Sequence, residues 1–425
     1  MTVELITTGS ELLLGRVLNT HVHWLGRRLA DLGKPISHHV TVPDTSEAIR
    51  GAVQEALSRA DLVITTGGLG PTSDDVTRER IAELLGRQLI YRPDIGDSIR
   101  QFFESRQRPM PERTRVEALV PEGATAFINQ HGTAPGLALD LSPNPFRTGG
   151  TRSGLILLPG PPRELQPMFD HQVQPWLAEH FPPSEAFVCR TFKTTGLGES
   201  LMEGRLESAL APLVAQGLQV GYCARVGEVD VRFVARGVQA ELLVSAAENV
   251  LEQAAGEFVF GTGDDSLEEF LVRYLSARSL TLALAESCTG GQLANRITNV
   301  PGASAMFLAG WVTYSNDSKT RQLGVPSSLL QEFGAVSEPV ARAMAEGARR
   351  ESGADYAISV TGIAGPGGGS EEKPVGTVFI GVAGPQGTTV QQQLNRFDRP
   401  TFKFQTGQQA FNQLRRQLMK DQGPA

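Results

Sequence analysis

Twice near its beginning the chain runs an apolar stretch into the same short phrase, Ile6-Thr7-Thr8-Gly9 and Ile64-Thr65-Thr66-Gly67. The stretches read as strands, Val3–Thr7 and Ala60–Thr65, and helical patterning follows each of them. The first helix, Thr20–Leu32, is closed by Gly33, and the second, Asp75–Leu85, by Gly86. Strands alternating with helices in this way build a parallel sheet with helices laid over it. Two more strand-like runs, Gly136–Leu141 and Gly154–Leu158, flank a Pro/Gly-rich excursion, Ser142–Thr151, expected to be a surface loop. Ligands of open α/β sheets bind beyond the carboxyl ends of the strands. The last run ends at Leu158-Pro159-Gly160-Pro161-Pro162, so three glycine-bearing strand ends are expected to meet.

At 425 residues the chain is too long for one compact core. We read three domains, 1–170, 171–265 and 266–425, all of α/β or α+β character. The second is a small α+β module. It has a strand-like Ala186–Thr194, a helical Glu199–Leu213, an alternating Glu228–Ala235 and a helical Ala240–Ala255. The third opens with a helix, Ser266–Ala277, and a buried strand, Leu280–Ala285. Further strands are expected at Ala305–Tyr314 and Tyr356–Val360, with a hairpin of Gly376–Ala383 and Thr388–Leu394. The chain closes with a helix carrying Ala410, Phe411, Leu414 and Leu418 on one stripe.

Hydrophobic content of 40% and charged content of 20% are those of a globular protein. No apolar run is long enough to cross a bilayer. The N-terminus reads as a strand, with an early Glu4 and no basic leader, so a cytoplasmic location is expected. The net charge of -7 and the lack of a basic stripe argue against long nucleic acid as a partner. Small anions stay open, because loops and helix N-termini bind them without net positive charge. Cys189, Cys223 and Cys288 form neither a metal-ligand spacing nor a disulfide framework. All seven histidines lie between His21 and His180, so any hydrolysis in the C-terminal half must run without a histidine base. Beyond residue 265 the only lysines are Lys319, Lys373, Lys403 and Lys420.

The second glycine phrase continues as Gly67-Gly68-Leu69-Gly70-Pro71-Thr72-Ser73-Asp74-Asp75. Its glycines let backbone N–H groups approach phosphate oxygens closely. Asp74 and Asp75 are hard oxygen ligands, suited to a divalent metal ion bridging a diphosphate. The same residues also fit a plain tight turn followed by a helix cap. Neither the P-loop nor the dinucleotide-binding glycine spacing is present.

In the C-terminal half, Ser287 sits where a buried strand stops and a helix begins, with Gly290 and Gly291 directly behind it. A hydroxyl there is exposed, and N–H groups near Gly290–Gly291 could hold an oxyanion. Serine needs a base, and a desolvated lysine can be one. Lys319 follows another strand, with Tyr314 close by to orient it or relay a proton. A third strand ends at Val360-Thr361-Gly362-Ile363-Ala364-Gly365, where Thr361 offers a further donor. Ser287 also fits a simple helix cap, and Cys288 is a competing nucleophile.

Several phrases carry a family resemblance. Gly9–Gly15 with Asn19, Thr66–Asp75, Asn129 with Gly132–Gly136, and Pro159–Pro162 with Glu164 resemble the N-terminal domain of the CinA family. That domain is molybdopterin-binding-like and is associated with metal-dependent ADP-ribose pyrophosphatase activity. The resemblance implies Asp74 and Asp75 as the metal and phosphate-side acids, with Gly68, Gly70 and Thr72 lining the pocket. Gly221-Tyr222 and Gly227–Arg232 are similar to the family's KH-like linking module. Ala285–Gly291, Val312–Lys319, Gly334–Ser337 and Val360–Pro366 resemble the nicotinamide mononucleotide amidase family, PncC. The resemblance implies Ser287 as nucleophile, Lys319 as general base with Tyr314 as its partner, and Thr361 on the oxyanion side. Gly362 belongs to the same motif, and Arg399 is implied as the phosphate holder, although Phe397-Asp398-Arg399-Pro400 departs from the family's Gly-Asp-Arg phrase. The implied function is pyridine-nucleotide recycling by a homodimer with two hydrolytic sites, the amidase requiring no cofactor. The alternative is a nucleotide- or molybdopterin-binding regulatory protein linked to competence and DNA damage.

Overall fold

The computed structural model describes residues 1–149 and 151–422, so Gly150 of the expected Ser142–Thr151 loop lies outside the described residues. The chain forms two compact units. The first holds residues 1–189 with 236–238, and the second holds 190–235 with everything from 239 onward.

The first unit is built on a six-stranded mixed sheet. Its strands are β1 (Val3–Thr8), β2 (Ile36–Val42), β3 (Leu62–Thr66), β4 (Thr125–Phe127), β5 (Gly136–Leu141) and β6 (Ser153–Leu158). They lie in the order β2-β1-β3-β6-β5-β4. The first four in that order are parallel, and β5 and β4 are antiparallel. Every residue of β1, β3 and β6 is buried, as a strand covered on both faces requires. Alternation sorts them into two cores. Ile6, Val63, Leu155 and Leu157 face one way; Leu5, Leu62, Ile64 and Ile156 face the other. Helix α1 (Thr20–Asp31) adds Leu25 and Leu29, one turn apart, to the second core. Trimming either leucine to alanine is expected to cost about 2–5 kcal/mol. Val173, Trp176 and Leu177 pack into that same core, so the first body continues past residue 170. The sequence reading passed over β2 because its Ile-Ser-His-His-Val-Thr-Val run is polar and only partly buried at the sheet edge.

The second unit holds most of a four-stranded sheet of β7 (Phe187–Thr195), β8 (Gln219–Arg225), β9 (Glu228–Arg236) and β10 (Val259–Thr262), ordered β8-β9-β7-β10. Only the first three residues of β7 and the last of β9 fall in the first unit. Helices α2 (Glu199–Val214) and α3 (Ala240–Ala255) pack with it, the former burying Met202, Leu206 and Leu210 at four-residue spacing. Helix α4 (Leu267–Ala277) then starts with a capping box between Ser266 and Glu269.

The remaining sheet has five strands, β11 (Leu282–Glu286), β12 (Phe307–Val312), β13 (Tyr356–Gly362), β14 (Thr377–Gly384) and β15 (Gly387–Leu394), ordered β12-β11-β13-β14-β15. The first three in that order are parallel, and the last two form the expected antiparallel hairpin. One face carries Leu282, Leu284, Ile358 and Val360 against Phe411, Leu414 and Leu418 of the closing helix. The other carries Ala283, Ala285 and Ala357 against Val340, Met344 and Ala348. No helix among the described residues is long and apolar enough to cross a membrane.

Candidate active site

Strands β12, β11 and β13 are parallel neighbours, so their carboxyl ends lie side by side. The amide of Ser287, directly after β11, donates to Val360 O of β13 at 3.0 Å. The amide of Thr313, directly after β12, donates to Glu286 O at 2.8 Å. The Glu286–Ser287 step is thus clamped between two neighbouring strands, in the crevice where ligands of α/β sheets bind.

Glu286, only 1% exposed, explains the turn that follows. Its carboxylate accepts from the amides of Gly291, Leu293 and Ala294 at 3.0, 3.1 and 2.8 Å. Those amides open the short helix Gln292–Thr298, whose positive end favours an acid. Gly291, at φ 92°, lets the backbone curl around the carboxylate. The Gly290 amide donates to Ser287 O at 3.1 Å. Both amides expected to face an oxyanion are therefore engaged within the turn. The amides of Cys288 and Thr289 have no backbone acceptor among the described residues, and that of Cys288 faces its own thiol.

Lys319 lies on α5 (Asn316–Leu323), which Ser315 caps by accepting from the Ser318 amide. Its Nζ lies 3.1 Å from Ser287 Oγ and donates to Thr313 O at 2.7 Å. The side chain is 1% exposed, and among the described residues it has no carboxylate within ion-pair reach. Burial accordingly holds its amine below the usual lysine range. Cys288 is buried too, and burial pushes its thiol up to about 12, which leaves no thiolate near neutral pH.

Tyr314 is exposed and does not reach the lysine. Its hydroxyl accepts from Arg399 Nη2 at 2.9 Å, and Arg399 Nη1 donates to Gly365 O at 2.9 Å. Arg399 opens the closing helix α6 (Arg399–Gln422). Lys403, one turn on, has its Nζ 3.7 Å from where a Cβ on Gly290 would stand. Arg399 and Lys403 thus bring two cations to the serine turn. The sequence reading missed Lys403, and the signal was its four-residue spacing from Arg399. Thr361 is 1% exposed and donates its hydroxyl to Ala335 O at 2.8 Å, so it ties the Gly334–Ser337 phrase to β13. Gly362 ends β13 against the backbone of Thr377.

In the first unit the three glycine-bearing strand ends do meet: the Gly67 amide donates to Leu158 O at 2.9 Å, and Thr8 Oγ1 donates to Thr66 O at 3.2 Å. Gly68, at φ 68°, sits so close to Thr77 that a Cβ would lie 2.1 Å from its Oγ1. Asp75 Oδ2 accepts from the amide and the hydroxyl of Thr72 at 3.0 and 2.5 Å, and Gly70 packs against the same carboxylate. Asp74 is exposed beside it. Among the described residues no three His, Cys, Asp or Glu side chains gather in metal-binding geometry. Asp74 and Asp75 are two adjacent carboxylates, a donor set that would fit a divalent ion keeping most of its own water. Two buried acids near this loop carried no expected role. Glu117 is fully buried, accepts from Thr133 Oγ1 at 3.1 Å, and is pushed up to about 7 by desolvation. Glu164 accepts from Asn129 Nδ2 at 2.8 Å and is also raised by burial.

Comparison with known proteins finds three successive matches along the chain. Residues 4–179 match a probable molybdopterin binding domain, 189–261 the damage-inducible protein CinA KH domain, and 264–418 the CinA C-terminal domain. A CinA-like protein of Akkermansia muciniphila is 46% identical over 409 residues, covering 96% of this chain and 95% of that protein. A putative competence-damage inducible protein of Moorella thermoacetica is 42% identical over 421 residues, covering 98% and 99%. The crystal structure of the competence/damage inducible protein CihA from Agrobacterium tumefaciens is 40% identical, covers 35% of this chain and 91% of that chain, and superposes with a TM-score of 0.34. Relatives that match almost end to end, and three domain matches in the same order as the observed sheets, lead to one statement: the chain belongs to the CinA family.

Proposed function

We propose that the C-terminal site hydrolyses the carboxamide of nicotinamide mononucleotide to nicotinic acid mononucleotide and ammonia. The observation that carries this reading is the buried amine of Lys319, 3.1 Å from the hydroxyl of Ser287 at the end of a parallel strand. In its neutral form that amine accepts the serine proton as Oγ attacks the carboxamide carbon. The carbonyl oxygen becomes an oxyanion within reach of the amides of Cys288 and Thr289. As the C–N bond breaks, Lys319 returns the proton to the leaving nitrogen, and ammonia departs from an acyl-serine. Lys319 then takes a proton from water, the hydroxide attacks the ester, and as the ester C–O bond breaks the Ser287 oxygen takes that proton back from Lys319. Thr313 O orients the amine throughout. Arg399 and Lys403 hold the phosphate, and Tyr314 keeps Arg399 aimed toward it.

For the first unit we propose metal-dependent hydrolysis of ADP-ribose. Asp74 and Asp75 would hold the divalent ion, and Gly68, Gly70 and Thr72 would line the phosphate side. The ion would supply charge neutralisation along the diphosphate. The family match of residues 4–179 favours a second reading of this unit, as a pterin binder, which relative affinities for pterin and ADP-ribose separate. Nucleotide substrates, a cytoplasmic location and a homodimeric state belong to the same proposal.

The test is ammonia release from nicotinamide mononucleotide by the full chain and by its Ser287→Ala variant. We expect turnover from the first and none from the second. Equal rates from both would sink the amidase reading.

A further inference from the structure

The second unit contains a cleft of about 750 Å³ between its small α+β module and its C-terminal domain. None of Ser287, Lys319 and Thr361 lines it, and its volume is that of a pocket for a nucleoside-sized molecule. Amide side chains dominate its wall: Gln391 and Gln393 from β15, and Gln405, Gln409 and Gln413 from α6. An amide offers one acceptor and a pair of donor hydrogens without charge, so such a wall reads the hydrogen-bonding edge of a neutral group. Apart from Glu199, which is exposed at the rim, the charged side chains of the wall are already engaged. Arg225 pairs with Asp230, Arg416 with Glu257 at 3.5 Å, and Glu228 accepts from Gln408 while facing Lys193 at 3.3 Å.

Two acceptors on this wall are incomplete. The Oε1 atoms of Gln405 and Gln413 are buried and have no donor among the described residues. Gln413 is only 6% exposed, and its Nε2 lies 3.4 Å from both Thr389 O and Thr389 Oγ1, which fixes which way the amide points. Buried polar atoms without partners are few in folded proteins, and each one calls for a partner. Phe397, half exposed, stands on the same wall and offers a flat face for stacking.

We propose that this cleft binds an adenine nucleoside. The purine stacks on Phe397. Its exocyclic N6 amine donates to a glutamine oxygen while the neighbouring N7 accepts from the same amide, the pairing by which glutamine reads adenine. Guanine presents two acceptors, O6 and N7, along that edge and leaves the glutamine oxygens unmet.

Calorimetric titration of the full chain with adenosine tests this. One saturable site is expected, with guanosine bound at least about tenfold more weakly. Gln405→Leu is expected to weaken adenosine by about tenfold while leaving ammonia release from nicotinamide mononucleotide unchanged. Absence of a saturable heat, equal affinity for the two purines, or an adenosine affinity untouched by Gln405→Leu would overturn the assignment. Should Gln405→Leu fail to fold, Phe397→Ala trims only an exposed ring. It is expected to weaken adenosine about fivefold, and an unchanged affinity would count against the site in the same way.

Discussion

The two candidate sites lie at the ends of parallel strands, yet they place charge in opposite ways. In the C-terminal domain burial holds the amine of Lys319 below the usual lysine range, and among the described residues no carboxylate stands within ion-pair reach. In the N-terminal unit burial pushes the acid Glu117 up to about 7 for the same reason, while the loop acids Asp74 and Asp75 stay near the surface. Desolvation disfavours charge of either sign, so identical physics lowers an amine in one place and raises a carboxyl in the other. The C-terminal site brings together a pair of side chains that touch. The N-terminal one is built from glycine backbone, with side chains at its margin.

The sharpest way to break the comparison is Lys319→Met. It keeps the volume and removes the base, and ammonia release is expected to fall by about a thousandfold or more. Cys288→Ala should leave most of the rate, because the thiol is protonated and buried. Asp75→Asn comes next. It should lower metal-dependent AMP release from ADP-ribose about a hundredfold and leave ammonia release alone, and a drop in both rates would show that the sites are not separable. Arg399→Ala is expected to raise KM for nicotinamide mononucleotide about tenfold, with little change for the phosphate-free riboside. Equal losses on both substrates would remove the phosphate role.

The smallest effects are in stability, and they carry opposite signs. Glu117 binds its proton up to about pH 7 when folded and to about 4.5 when unfolded. Between those values the folded state holds more protons, so stability of the first unit falls as pH rises, by about 3 kcal/mol at most. For Lys319 the unfolded chain holds the extra proton, from its lowered folded value up to 10.5. Stability of the second unit therefore rises with pH across that window. Hydrogen exchange of β3 and β11 amides against pH should show these opposed slopes, with Glu117→Gln flattening the first and Lys319→Met the second.

Much of this was legible in the chain. Continuous apolar runs such as Leu62–Thr66 and Leu282–Glu286 could only be strands covered on both faces, and the stripe Ala410, Phe411, Leu414 and Leu418 is fully buried as its spacing required. The absence of histidine after His180 pointed to a lysine as the base, and Lys319 is the lysine that reaches Ser287. The edge strand Ile36–Val42 escaped because half-buried polar runs leave no periodicity to read.

Local pattern determined where strands stop and which residue types stand there, because burial and turn chemistry act over a few neighbouring positions. Tertiary structure alone decided which of those residues are free to act. Glu286 takes the amides of Gly291, Leu293 and Ala294, Thr361 turns to Ala335, and Tyr314 turns to Arg399. A hydrogen-bond donor can be claimed by a partner far away in sequence, and no spacing rule sees that competition.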